Sequence, residues 1–199
     1  MSKKIDIFVD RTQMLLSNAR NHPGIRQQLN AFGFTPARYQ EVDALVEEVT
    51  GAVRAQEDAY SLSRTVSNQL KEDTRAAQAN YRELREVVRF AFRGDEATLR
   101  YLKLDESRKT TIAGWHLQAQ AFLDRLSGHL GPLKKYGITA ERVAEVQAMV
   151  QAVVEGRYQW QQRKADAQQA TRQRDEALRA LEIWVSGFRK IAGVALKDN

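Results

Sequence analysis

Leu29-Asn30-Ala31-Phe32-Gly33-Phe34-Thr35-Pro36 and Leu133-Lys134-Lys135-Tyr136-Gly137-Ile138-Thr139-Ala140 are the stretches that decide the fold. In each, glycine stands where a helix ends in a left-handed residue. The apolar residue after it, Phe34 or Ile138, is placed to fold back on the last turn. Threonine is then a good N-cap, and Pro36 suits the first position of a new helix. Both stretches spell a helix end, an apolar clip and a helix start, which is a tight corner between two helices.

The corners lie 104 residues apart, and the likeness extends beyond them. Residues 29–46 and 133–150 share Leu29/Leu133, Gly33/Gly137, Thr35/Thr139, Arg38/Arg142, Glu41/Glu145, Val42/Val146, Ala44/Ala148 and Val46/Val150. Phe32/Tyr136, Phe34/Ile138 and Leu45/Met149 are conservative pairs. The same offset returns at Arg75/Arg179, Ala76/Ala180, Arg85/Arg189 and Ala91/Ala195. A self-match at one period marks two copies of a supersecondary unit.

Outward from the corners the apolar steps are three and four, the helical spacing. A first helix is expected from residue 5 or 10 to 20, burying Met14, Leu15 and Ala19. Pro23 and Gly24 interrupt it, and a short helical turn leads into the corner. A long helix follows over residues 36–93, with its copy over 140–196. At about 58 residues, each spans roughly 87 Å if unbroken. Val42, Leu45, Val49, Val53, Leu62 or Val66, Leu70, Ala77, Leu84, Val87 and Ala91 are the expected stripe of the first. Val146, Met149, Val153, Trp160, Ala167, Ala170, Ala177, Leu181, Phe188 and Ile191 are that of the second. The middles, 55–80 and 156–175, are rich in Gln, Arg, Ala and Ser. They read as an antiparallel waist packed through small residues, or as kinks, for which Gly51 and Gly156 are the candidates. A short helix over 99–104, a charged linker over 105–111 and a helix over 112–126 complete the chain. The expected fold is all-α: an elongated four-helix bundle of two tandem helix-hairpin repeats related by a pseudo-two-fold axis. One domain is expected over 1–199, with repeats at about 1–104 and 105–199.

Composition agrees with helices. Of 199 residues only 3 are proline and 11 glycine, and no stretch alternates like a strand except the short 5–9 segment. Cysteine is absent, which excludes disulfides and thiolate chemistry. The net charge of +6 is dilute, because Lys and Arg interleave with Asp and Glu, as in Arg82, Glu83, Arg85, Glu86 and Arg89. The first residues do not read as a signal peptide, and no apolar run reaches the ~20 residues of a membrane span. A cytoplasmic protein is expected.

Chemistry-bearing patterns are scarce. The residues three before His22, His116 and His129 are Ala19, Ala113 and Leu126, so the Glu-x-x-His pairs of di-metal bundles are missing. No two histidines are four apart, as a helical zinc motif requires. Ser61, Ser63 and Ser67 lie in a helical stretch without a glycine-flanked elbow. The expectation is a non-enzyme with no cofactor and no metal. Arg163, Lys164, Arg172, Arg174 and Arg179 could form a row that tracks a nucleic-acid backbone, although Asp166, Asp175, Glu176 and Glu182 dilute it. Trp184, Phe188 and Ile191 read as core, with an apolar patch for a partner or an anionic membrane surface as the alternative. Trp160, in the polar waist, either crosses to the other long helix or plugs a dimer interface.

The corner Gly-[Phe/Ile]-Thr-x-x-Arg and the block Trp184-Val185-Ser186-Gly187-Phe188-Arg189-Lys190-Ile191-Ala192 resemble a family of internally duplicated bacterial all-helical proteins with no assigned activity. The resemblance covers most of the chain and implies fold only. In the first copy Asn80 and Tyr81 stand where this block has Trp184 and Val185. The expected function is protein–protein contact by a helical bundle, as a homo-oligomer with a dimer favoured. The alternatives are nucleic-acid binding along the basic face and reversible binding to anionic membranes.

Overall fold

The computed structural model describes residues 3–197. The described residues form an all-α protein. Its helices are α1 (Lys3–Asn21), α2 (Pro23–Ala31), α3 (Pro36–Ala91), α4 (Glu96–Tyr101), α5 (Ile112–Leu126) and α6 (Ala140–Ala195). Short 3-10 segments, Ser127–His129 and Gly131–Tyr136, lead from α5 towards α6.

Both corners form as their residues dictate. Gly33 has φ +86° and Gly137 φ +76°, a left-handed conformation that costs glycine nothing. The amide of Phe34 donates to Leu29 O at 3.1 Å and that of Gly33 to Asn30 O at 3.0 Å. Ile138 and Gly137 repeat the pattern with Leu133 O and Lys134 O at 3.3 and 3.0 Å. These paired bonds satisfy carbonyls that a helix end otherwise leaves open. The Thr139 hydroxyl accepts from the Arg142 amide at 3.3 Å, capping α6.

Several expectations are corrected. Pro23 does not merely break the first helix. It occupies the first turn of α2, where its missing donor costs nothing. The short helix expected over 99–104 begins earlier, at Glu96, because Asp95 caps it by accepting from the Thr98 amide at 3.0 Å. Met14 is not buried but 60% exposed. The buried side of α1 is Ile5, Thr12, Leu16 and Ala19, and Met14 lies about 200° around the helix from Leu16. Thr12 tolerates burial because its hydroxyl donates to Phe8 O at 2.8 Å. Gly51 and Gly156, the candidate bends, both lie inside the helices. At Gly156 a Cβ would come within 3.3 Å of Leu70 Cδ1, so glycine there serves close approach of α6 to α3.

The chain divides into two compact units: Met1–Ser63 with Arg163–Asn199, and Arg64–Gln162. The division cuts both long helices and does not follow the halves 1–104 and 105–199.

In unit 1, α1, α2, the first half of α3 and the second half of α6 share one core. Leu16, Leu29, Val42, Val46, Val49 and Val53 meet Ala177, Leu181, Val185 and Phe188. α3 and α6 run antiparallel here. The Gln56 amide donates to Thr171 Oγ1 at 3.2 Å and accepts from Arg174 Nη1 at 2.8 Å, while Phe34 meets Phe188 at 4.9 Å between ring centroids.

In unit 2, α4, α5, the second half of α3 and the first half of α6 enclose Tyr81, Leu84, Val88, Leu102, Leu104, Trp115, Phe122 and Leu126 with Val146, Val150 and Val153. Tyr81 takes Trp115 and Phe122 edge-on at 6.1 and 5.7 Å. Arg142 donates to Asn80 Oδ1 at 2.6 Å and Gly156 lies against Leu70, so the pairing is again antiparallel.

Within both units the buried line runs one residue beyond several expected positions. Val46, Val88 and Val150 are buried, while Leu45, Val87 and Met149 are half-buried flanks. Leu62 is exposed.

Candidate interaction surfaces

The aromatic block of α6 is the floor of unit 1. Trp184 and Phe188 stack at 5.5 Å with 9° between their planes, and Phe34 meets Trp184 edge-on at 6.0 Å. Phe188 is buried and Trp184 half-buried, while Ile191 turns outward. The corner residue Phe34 therefore does what an apolar clip should: it ties the end of α2 to α6. Trp160 is half-buried in unit 2. Ala167, Ala170 and Ala177 are buried, so the alanine stripe is already covered and offers no surface.

The basic residues of α6 do not form one row. At 100° per residue, Arg163 and Arg174 fall on one side, and Arg172 and Arg179 on the opposite one. Arg163 pairs with Asp166 at 3.3 Å. Arg174 holds Gln56 and also its neighbour Asp175. Lys164, Arg172 and Arg179 are exposed. The structure thus separates residues that linear spacing had grouped.

Each unit has a groove beside its long helices, and the two differ in their contents. In unit 1, a groove of about 440 Å³ runs between α1, α2 and the end of α6. Met14, Leu15, Ile25, Ala192 and Leu196 line it over the buried Phe188, and Arg11 is the one charged lining residue. In unit 2, the cleft between α5 and the end of α3 is filled by the chain after α4. Leu102 and Leu104 are fully buried there. Arg85 donates to Leu104 O and Glu106 O at 3.4 and 3.2 Å, and Arg89 also donates to Leu104 O. From the α5 side, Arg125 donates to Tyr101 O and Gln118 to Ser107 O, both at 3.0 Å. Side chains of both helices thus hold the segment by its carbonyls, which would otherwise be buried without donors.

The end of α4 carries the same helix end and apolar clip, with no helix starting directly after it. Leu104 N donates to Leu99 O at 2.9 Å and Lys103 N to Arg100 O at 3.0 Å, with Lys103 at φ +55° in glycine's place. The signal in sequence was the pair Leu99 and Leu104, spaced like Leu29 and Phe34. A lysine in the left-handed position hid it.

Electrostatics at these surfaces are mild. Burial raises the Tyr81 phenol above its usual range, opposed by the nearby Arg85. Burial likewise raises Tyr39, opposed by Arg20. Hydrogen bonds from Thr98 hold the Asp95 carboxyl below its usual range, and Thr139 does the same for Glu141. Among the described residues no cluster of three or more His, Asp or Glu is arranged to hold a metal ion. No described helix is long and apolar enough to cross a membrane.

A second apolar surface lies in unit 2, where Ile112, Ala113, Leu117, Val154 and Tyr158 border a cavity of about 410 Å³ with His116 and Arg157. Leu117 and Tyr158 are 66% and 69% exposed. No protein-family model matches the chain, and neither does any curated protein or any solved structure.

Proposed function

We propose that the chain is an internally duplicated helical bundle that acts by protein–protein contact and has no catalytic role. Burial supports the duplication. Leu29/Leu133, Phe34/Ile138, Val42/Val146, Val46/Val150, Val49/Val153, Tyr81/Val185 and Leu84/Phe188 lie 104 residues apart, and every member is buried. α1 and α5 match at a slightly larger offset, with Leu16/Leu123 and Ala19/Leu126 buried in both. The longer α2 accounts for the difference.

The observation that carries the functional reading is the open groove of unit 1. Its walls are apolar, and Met14 stands 60% exposed at its edge. Large apolar side chains gathered round a groove are the usual seat of a partner's apolar anchors. Panning a random peptide library on the intact protein tests this. Enriched peptides should lose binding at least tenfold to a Met14→Glu variant. Failure to enrich any peptide, or equal binding to the variant, would refute the proposal.

Self-association is a second reading, favoured by the exposed Leu117 and Tyr158. It expects a dimer in light scattering at low and high salt, dissociated by Leu117→Glu. A wild-type monomer at all salts would sink it.

A further inference from the structure

Gln118 and Arg125 on α5, with Arg85 and Arg89 on α3, grip the segment that fills the cleft of unit 2. On the proposed duplication, these positions map to Arg11 and Asn18 on α1 and to Arg189 and Gly193 on α6. Arg11 and Asn18 line the open groove of unit 1. Arg189 is exposed on α6, one residue beyond the buried Phe188, just as Arg85 follows Leu84. The floor matches as well: Leu15, Ala192 and Leu196 stand for Phe122, Val88 and Phe92. The counterparts in unit 2 are buried, whereas Leu15, Ala192 and Leu196 are half-buried. Unit 1 therefore has the apolar floor and three side chains able to donate but, among the described residues, no segment like 99–107 laid across them.

The chemistry of that segment names the occupant. It is a short helix ended by a left-handed residue, which sets Leu99, Leu102 and Leu104 on the cleft. Residues 95–107 carry four carboxylates, Asp95, Glu96, Asp105 and Glu106, against the two cations Arg100 and Lys103, so the segment with its cap is acidic. The charge agrees, because the lining of the unit 1 groove carries Arg11 and no carboxylate, and Arg189 falls within roughly 20° of the lining residue Leu196 around α6. Resting on the functional reading above, we propose that this groove binds an acidic partner peptide with closely spaced leucines, in the manner of residues 95–107 of this chain. The leucines would fill the space beside Met14 and Ala192. Arg11 and Arg189 would donate to the peptide's carbonyls and meet its acids.

A fluorescein-labelled peptide of residues 95–107, titrated into the full chain and followed by anisotropy, tests this. Saturable micromolar binding is expected. Met14→Glu and, separately, Arg189→Glu should each weaken it tenfold or more. Both side chains are exposed, so the variants should keep the wild-type helical circular dichroism. A peptide with Leu102 and Leu104 both replaced by serine should not bind. No binding at millimolar peptide, or binding indifferent to both variants, overturns the proposal. If panned peptides of other chemistry bind and are lost with Met14→Glu while this peptide is not bound, the functional reading stands and this inference fails.

Discussion

In unit 2 Trp115 is 1% exposed and sits in one cluster with Leu102 and Leu104. On the proposed duplication its match in unit 1 is Phe8 of α1, half-buried, and Met14 stands open further along that helix. Both units use the same valine-lined pair of antiparallel helices and the same corner. They differ in what lies over the second layer. Where the chain supplies a cover, large aromatics are enclosed. Where it does not, Leu15, Ala192 and Leu196 are left half-buried along a groove. The comparison teaches that the helix pair sets the core, while a nine-residue segment decides whether a unit is closed.

The largest effect should come from the enclosed aromatic. Trp115→Ala is expected to cost about 3–5 kcal/mol, and Phe8→Ala about 1–2 kcal/mol. Urea unfolding of both variants checks this, and equal costs would break the contrast between closed and open units. The corners should instead behave alike. Gly33→Ala and Gly137→Ala each force an L-residue into the left-handed region for about 1–2 kcal/mol, since neither Cβ meets a neighbour within 4 Å. Lys103→Gly should gain a smaller amount, as its left-handed backbone is relieved. Thermal melts of the three variants sharpen the claim that one device is used three times.

The smallest effect concerns acid. The Asp95 carboxyl is held below the ordinary value of 3.8 by Thr98. Its folded pKa is thus lower than its unfolded one, so its contribution is present at neutral pH. That contribution is lost as pH falls below 3.8 and through the depressed value. Protection of the Thr98 amide, taken relative to its intrinsic exchange rate, should fall in that range in unit 2, with no change at the floor of unit 1. Protection of Thr98 that ignores pH would remove Asp95 as the cap.

The corners, the helical class and the long helices were legible because their signals are local. A left-handed glycine, a cap and a three-four step are written in adjacent residues, and the long helices end within two residues of the expected places. The fine phase was not. Leu45, Val87 and Met149 are larger or equally apolar, yet Val46, Val88 and Val150 take the buried line. Between closely packed helices the compact Val46 and Val150 occupy the centre and the longer Leu45 and Met149 flank it, while Val87 and Val88 differ only by the rotation of α3. No single-helix pattern reveals that choice. The basic row failed for a related reason: residues crowded in sequence at 163, 172 and 174 are spread around a helix. The groove was least legible of all, since it is defined by what covers unit 2.

Trp184 lies face to face with Phe188, which lines the groove, and the chain has no cysteine. An indole so placed is an optical gauge. Displacing water over Phe188 should shift its emission, while Trp115, sealed in unit 2, supplies a steady internal standard. With single introduced thiols as attachment points anywhere on the surface, the molecule comes close to being its own binding sensor.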